Sequence, residues 1–282
     1  MGPLFQKMFL RTLEITLSAL ILLIVLAPVF WLVSVSLRSV EEVYEFPLTI
    51  LPKKWTLDAY RDVWLTKVGL SNEWLKYLRN TIVVSVAVSF LTAAVGMLVG
   101  YSLSRLRGPW SQKFRKLFVL VQMLEGPILL VPIYVMLSGL GLINSLFGYG
   151  LVLFVLFLPF TIVLAYGFAL EIPIELDEAA RIDGTTPWQT FWLVFFPVAK
   201  TSFTTVFLMT FLLTWGEYPF AVTLLEGQNR TVSTAMVDLV SGLNVYWNHM
   251  AAAAVIASAP VLLVLILAQR QIVGGLTAGS VK

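Results

Sequence analysis

Cysteine is absent from the 282 residues, and histidine occurs once, at position 249. Without cysteine there is no disulfide, thiol nucleophile or thiolate metal site. One histidine gives no histidine-based metal cluster, so no metal ligand and no catalytic residue is assigned. Charge is scarce too: Asp, Glu, Lys and Arg make up 12% of the chain against 59% hydrophobic residues. A water-soluble domain of this length carries about twice that charge. No GxxxxGK[ST] phosphate loop occurs, so the chain lacks that means of holding ATP. The basic pI, about 9.1, does not point to nucleic acid, because the basic residues cluster where a membrane topology needs them. What remains is an all-α integral membrane protein threaded several times through a bilayer.

Six apolar runs are long enough to cross, at about 15–37, 80–103, 117–138, 149–170, 194–214 and 250–268. The first follows a short leader holding Lys7 and Arg11 and is read as a retained span rather than a cleaved signal. Residues 38–79 mix acids, bases and prolines and read as a folded loop outside the cell, with TLDAYRDVW as a short amphipathic helix. Span two is rich in Ala, Gly, Ser and Thr, which suits close helix packing. The segment after it, SRLRGPWSQKFRK, has five basic residues and no acid, which marks the cytoplasmic side. Span three is interrupted at Glu125-Gly126-Pro127. Counting crossings puts both termini, the tail 269–282 and the loop 171–193 inside the cell.

That loop holds Glu171, Glu175, Asp177, Glu178, Arg181 and Asp183 within 13 residues. Ionic side chains cost roughly 2.5–3.5 kcal/mol each at the middle of a membrane helix, so the segment lies outside the hydrocarbon. Its acids also break the positive-inside pattern, and something other than topology must account for them. Local chemistry predicts a folded elbow. Pro173 suits a first helical turn, the acids at 175, 177 and 178 complement the helix dipole, and Gly184 is a natural stop. Thr186-Pro187-Trp188-Gln189 reads as a capping box that opens a second helix at once. Ile172, Leu176, Ala179, Ala180 and Asp183 share one narrow face.

Glu178-Ala179-Ala180, three residues, Gly184, nine residues and then Val194-Phe195-Phe196-Pro197 resembles the EAA loop of permease subunits of binding-protein-dependent ABC importers. The ending GLTAGSVK resembles the tail of the sugar-type, maltose-like members, with Ser280 where the family more often has Ala. WTLDAY…WLKYLRNTIVVS also resembles the segment before their second span. The resemblance implies a permease core shared by these importers (the MetI-like fold) with one added helix. It implies that the elbow is a coupling helix on an ATPase subunit, carried by Glu178, Ala179, Ala180, Arg181, Asp183 and Gly184. Gly275, Leu276, Thr277, Gly279 and Lys282 would reach the ATPase from the tail. It implies as partners two ATPase copies holding ATP and Mg, a second, similar permease and an extracytoplasmic solute-binding protein. The solute expected is a sugar, with glycerol-phosphate as a non-sugar alternative.

The path through the membrane is less legible. Glu125 lies in an apolar run, where carboxylates are functional candidates, although the plainer reading pairs it with Arg105 or Lys116. Glu217 ends span five and either lines a gate or caps a helix. Tyr134, Tyr166, Trp215 and Tyr218 are aromatic candidates for stacking on sugar rings, and aromatics also mark lipid interfaces. His249 reads as an interfacial residue. A secondary transporter would show midplane carboxylates and inverted repeats, and neither is evident. An intramembrane hydrolase would need a nucleophile–base pair that this sequence does not offer.

Overall fold

A computed structural model describes residues 3–65, 74–106, 108–123, 126–241 and 244–278. The regular structure of the described chain is helical apart from one two-residue antiparallel ladder, β1 (Val240–Ser241) with β2 (Asn244–Val245). Four helices are long and apolar enough to cross a membrane: α1 (Pro3–Ser36), α4 (Trp74–Arg105), α7 (Leu146–Glu171) and α14 (Trp247–Ala278). Two bent pairs raise the number to six. One pair is α5 (Pro109–Gln122) with α6 (Gly126–Gly139), and the other is the helical stretch Pro187–Val198 with α11 (Lys200–Trp215). Between these lie the short helices α2 (Val40–Tyr44), α3 (Asp58–Leu65), α8 (Glu175–Ile182), α9 (Pro187–Thr190), α10 (Phe196–Val198), α12 (Pro219–Leu224) and α13 (Val232–Ala235).

The fold forms two units. One comprises the described residues of 1–74 and 236–258, the other those of 75–235 and 259–278. In the first, the loop after α1 folds around buried Arg38. Its guanidinium donates to the carbonyls of Thr49 and Ile50 and to Ser34 Oγ, and lies 5.1 Å from the centre of the Trp31 ring. Buried Glu42 accepts the backbone N–H of Lys53 at 2.7 Å. His249, near the start of α14, is 2% exposed. Its ring nitrogens face Asn248 Oδ1 at 2.9 Å and Asp62 Oδ2 at 3.4 Å. The amphipathic helix α3 brings Asp62 to it from 187 residues away, which no local pattern announces.

In the second unit, α4 and α7 touch through small residues. A Cβ added at Gly100 would lie 2.7 Å from the backbone N of Tyr166, and one at Gly96 would lie 3.0 Å from Thr161 Oγ1. These glycines, four apart, bring backbone against backbone, as membrane helices do where hydrophobic burial offers no drive to associate. Several hydroxyls along the helices are satisfied within their own turns, for example Thr92 on Val88 O (2.6 Å), Thr210 on Val206 O (2.9 Å) and Thr214 on Thr210 O (2.8 Å). Two buried clusters follow. One joins Val84, Val88, Leu137, Tyr149, Leu153, Phe220 and Leu224. The other joins Ala93, Met97, Tyr101, Ala165, Ala169, Phe191, Phe195 and Val206, and it seats the elbow.

Gly100→Ala is expected to cost about 1–3 kcal/mol of stability, because backbone must move to admit the methyl. Gly167→Ala, on the same contact helix but with nothing within 4 Å of the new methyl, is expected to be neutral or stabilising. Thermal unfolding of the two purified variants in one detergent checks the difference.

Candidate functional site

α7 ends at Glu171, and the chain re-enters helix at Glu175, so Pro173 precedes α8 rather than lying inside its first turn. Proline has no N–H to give, and here it sits in the connection where none is required. The three acids Glu175, Asp177 and Glu178 occupy the first turn, where exposed N–H groups favour negative charge. The far end closes in a Schellman arrangement. Gly184 takes φ +84°, its N–H donates to Arg181 O at 3.0 Å, and Thr185 N–H donates to Ala180 O at 3.1 Å. Only glycine adopts that φ without cost.

The second arm starts at once. Thr186 Oγ1 accepts from Gln189 N at 3.3 Å while Gln189 Oε1 accepts from Thr186 N at 2.9 Å, a complete capping box with Pro187 at its first helical position. The arm runs through α9, a π-helical turn (Phe191–Phe195) and α10, then bends by 80° at Ala199 into α11. The apolar run expected as a span from 194 is thus divided. Residues up to Val198 belong to the elbow, and the long helix begins at Lys200. Phe191 and Phe195 of the π turn pack on Tyr101 of α4 at ring-centre distances of 5.3 and 4.4 Å.

A buried ion pair ties these parts together. Arg105, the last residue of α4, donates from Nε to Asp177 Oδ2, from Nη1 to Ala169 O (3.1 Å) and from Nη2 to Ile172 O (3.1 Å). The side chains of Arg105 and Asp177 are 9% and 2% exposed. One guanidinium therefore neutralises the carboxylate and caps the open carbonyl end of α7. Tyr101 and Phe195 flank it, their ring centres 5.5 and 5.9 Å away. Sequence reasoning offered Arg105 to Glu125, and the structure commits it to Asp177. Glu125 itself lies outside the described residues. The missed pair had a signal, an arginine ending an apolar span and an acid one residue before the EAA motif. Their separation of 72 residues hid it.

The remaining elbow residues divide by face. Ala180 is buried against the protein, 6% exposed. Glu178, Ala179, Arg181, Asp183 and Gly184 are exposed, as are Leu176 and Ile182, the latter at 87%. Of the two alanines expected to make room for a partner, one faces inward and the other outward. A charged helix with bare Ile182 and Leu176 beside it is a surface suited to contact.

The candidates for a translocation path do not gather in one place. Glu217 is buried, and its carboxylate accepts from Phe220 N (2.7 Å), Ala221 N (3.0 Å) and Tyr149 Oη (2.8 Å), so it caps α12. Tyr166 is held by Arg115, whose Nη1 donates to its hydroxyl at 2.8 Å. Trp215 packs on Phe211 at 5.4 Å. Tyr134 and Tyr218 are exposed, at 41% and 39%. An open groove of about 930 Å³ lies among α5, α6, α7 and α11, lined by Leu129, Ile133, Met136, Leu156, Phe160 and Met209 among others. Gln122 is the one polar side chain among its described lining residues.

Residues 93–277 match the family described as "Binding-protein-dependent transport system inner membrane component". The chain belongs to this family. The permease is 31% identical to the inner membrane ABC transporter permease protein YcjP of Escherichia coli K12, over 94% of each chain. It is 34% identical to the maltose/maltodextrin transport system permease protein MalG of Vibrio vulnificus, over 74% of this chain and 72% of that one. It is 30% identical to the diacetylchitobiose uptake system permease protein NgcG of Streptomyces coelicolor, over 92% and 85%. A solved bacterial ABC transporter involved in the import of alginate shares the permease's fold, with TM-score 0.73 and 23% identity over 94% and 97% of the two chains. The matched region contains Arg105, Asp177 and the whole elbow, and it reaches Gly275, Leu276 and Thr277, which continue α14. Gly279 and Lys282 of the permease's tail lie outside the described residues.

Asp177→Ala leaves Arg105 charged and buried without its partner, and is expected to destabilise the permease by about 3–5 kcal/mol. It should also speed hydrogen exchange at the amides of α8. The double change Arg105→Met with Asp177→Leu should recover most of the stability. Unfolding midpoints together with exchange rates over 175–185 measure both effects.

Proposed function

We propose that this permease forms half of the membrane pathway of an ATP-driven importer for a sugar, and that the elbow receives the work of ATP hydrolysis from a separate ATPase subunit. The observation that carries the reading is the elbow itself. It is a short helix capped at its far end, clamped by a buried ion pair, with a charged and apolar face turned outward. The chain has no phosphate loop of its own, so the energy must arrive through a contact surface. The partners that fit are two ATPase copies binding ATP and Mg, a second and similar permease, and a solute-binding protein outside the cell. In this reading both termini and the elbow lie in the cytoplasm of a cell whose inner membrane holds the complex. Residues 38–79 and 215–247 face the binding protein.

Transport requires two conformations whose balance an energy source tilts. Movement of the ATPase pushes α8. Because Arg105 bonds α8 and the end of α7 at once, the push reaches α4 and α7 as one body. The second arm carries it through the bend at Ala199 into α11. Such rigid-body motion suits a tightly packed corner better than gradual deformation. Glu178 serves as an ionic contact to a basic residue of the ATPase, Ala179 allows close approach, and Arg181 and Asp183 rim the contact. The tail residues Gly275, Leu276, Thr277, Gly279 and Lys282 reach the same partner.

A sugar is supported by the curated relatives, whose names record maltose and maltodextrin, diacetylchitobiose and, for a Mycobacterium tuberculosis permease 27% identical over 94% of this chain, trehalose. The groove in this chain is nearly all apolar. The hydroxyls of a sugar would therefore find most of their hydrogen-bond partners on the second permease and the binding protein.

Glu178→Lys and Gly184→Asp are expected to reach the membrane at normal levels and to lower ATP-dependent uptake at least about tenfold. The assay is uptake of labelled maltose, trehalose, diacetylchitobiose and glycerol-phosphate in a deletion strain carrying each variant. Uptake at wild-type level in both variants would overturn the coupling role. Uptake of glycerol-phosphate alone would overturn the sugar assignment.

A further inference from the structure

α5 is too short, at 14 residues and about 21 Å, to cross a bilayer alone. Its Ser111 Oγ donates to Leu103 O at 2.9 Å, and Arg115 donates to the Tyr166 hydroxyl. These two contacts moor its inner side to the ends of α4 and α7 that also carry Arg105 and the elbow. At 100° per residue, Trp110, Phe114 and Leu117 form a single stripe on another side, which ends at Val121 on the rim of the groove. All four are exposed, from 41% to 62%, and no residue of α5 is buried. Lys113 stands beside this stripe, its Nζ 4.7 Å from the centre of the Trp110 ring, and Lys116 lies about 60° further round the helix; both are exposed. No Asp or Glu occurs anywhere from residue 74 to 124, whereas five Lys or Arg fall between 105 and 116.

We propose that this outer face of α5 is a binding site for an anionic phospholipid. Lys113 and Lys116 hold the phosphate, Trp110 sits at headgroup level, and Phe114 and Leu117 lie along the acyl chains. Charge complementarity favours a lipid over a protein partner. Lysine is depleted from protein interfaces, whereas an apolar stripe with a tryptophan at one end, a lysine along its edge and a second lysine a turn further on matches the boundary between water and acyl chains. No acidic residue of 74–124 offers either lysine a counter-charge, and Arg115, the remaining cation described on α5, is turned to Tyr166, so the lipid phosphate takes that role. A lipid held here braces the same helix ends that the Arg105–Asp177 pair joins.

The test uses the full chain in its assembled complex, with phosphatidylglycerol and phosphatidylcholine as probes. Native mass spectrometry is expected to show phosphatidylglycerol retained over phosphatidylcholine, with Lys113→Gln/Lys116→Gln weakening it ~30-fold, about fivefold per lysine. Equal retention by the wild type and the variant would overturn the proposal. The cysteine-free chain also permits one spin label through Phe114→Cys or Leu117→Cys. In phosphatidylglycerol vesicles these labels should meet dissolved oxygen and not a water-soluble nickel reagent. Labels shielded from both would mean that a protein covers the face, and labels open to nickel would mean that water does. Either result overturns the assignment.

Discussion

The buried pair between Arg105 and Asp177 is the constraint on which the elbow depends. Removing two charges from water costs several kcal/mol each, and attraction alone rarely offsets that. Here the guanidinium also reaches two carbonyls at the end of α7, so its hydrogen-bonding capacity is used where a helix end lacks partners. The net stabilisation is modest, and the gain is in direction. A planar, forked donor fixes α8 relative to two long helices in a way that an apolar contact of similar size would not.

From that fixed point the rest of the corner follows. A left-handed Gly184 ends α8 and a capping box opens α9 within two residues, so little chain between the arms is free to absorb motion. The aromatic seat of Tyr101, Phe191 and Phe195 holds the second arm on α4. Gly100 and Gly96 bring α4 onto α7 about one and a half and two and a half turns before Arg105. Clamp, caps and glycine contact all act on the same three helices, and a push applied at the exposed face of α8 finds no soft joint before the membrane helices.

Much of this was legible in sequence because it rests on local chemistry. The charged stretch between apolar runs, the stop at Gly184 and the Thr186–Gln189 box depend on neighbours within five residues. The small residues of span two pointed to a close contact, although not to α7 as its partner. What stayed hidden depends on distant partners or on backbone turns inside uniform composition. Helical spacing grouped Leu176, Ala179, Ala180 and Asp183 on one face, yet the inward side of α8 is set by Asp177 and Ala180, because Arg105 waits there. The bend at Ala199 falls within an apolar run that hydropathy reads as continuous. Glu217 could not be distinguished as a gate or a cap until Tyr149 and the start of α12 were found around it. His249 is buried because α3 returns to it, and only the tertiary fold brings Asp62 there.

The central claim is that the outward face of α8 lies in the cytoplasm beneath an ATPase subunit. The most direct measurement places a single cysteine at Ala179, an exposed position in a chain with no other thiol, and treats vesicles of known sidedness with a membrane-impermeant maleimide. The account predicts labelling only in inside-out vesicles stripped of the ATPase, and protection once the ATPase is restored. Labelling from the outer face, or labelling of equal rate with and without the ATPase, would contradict it.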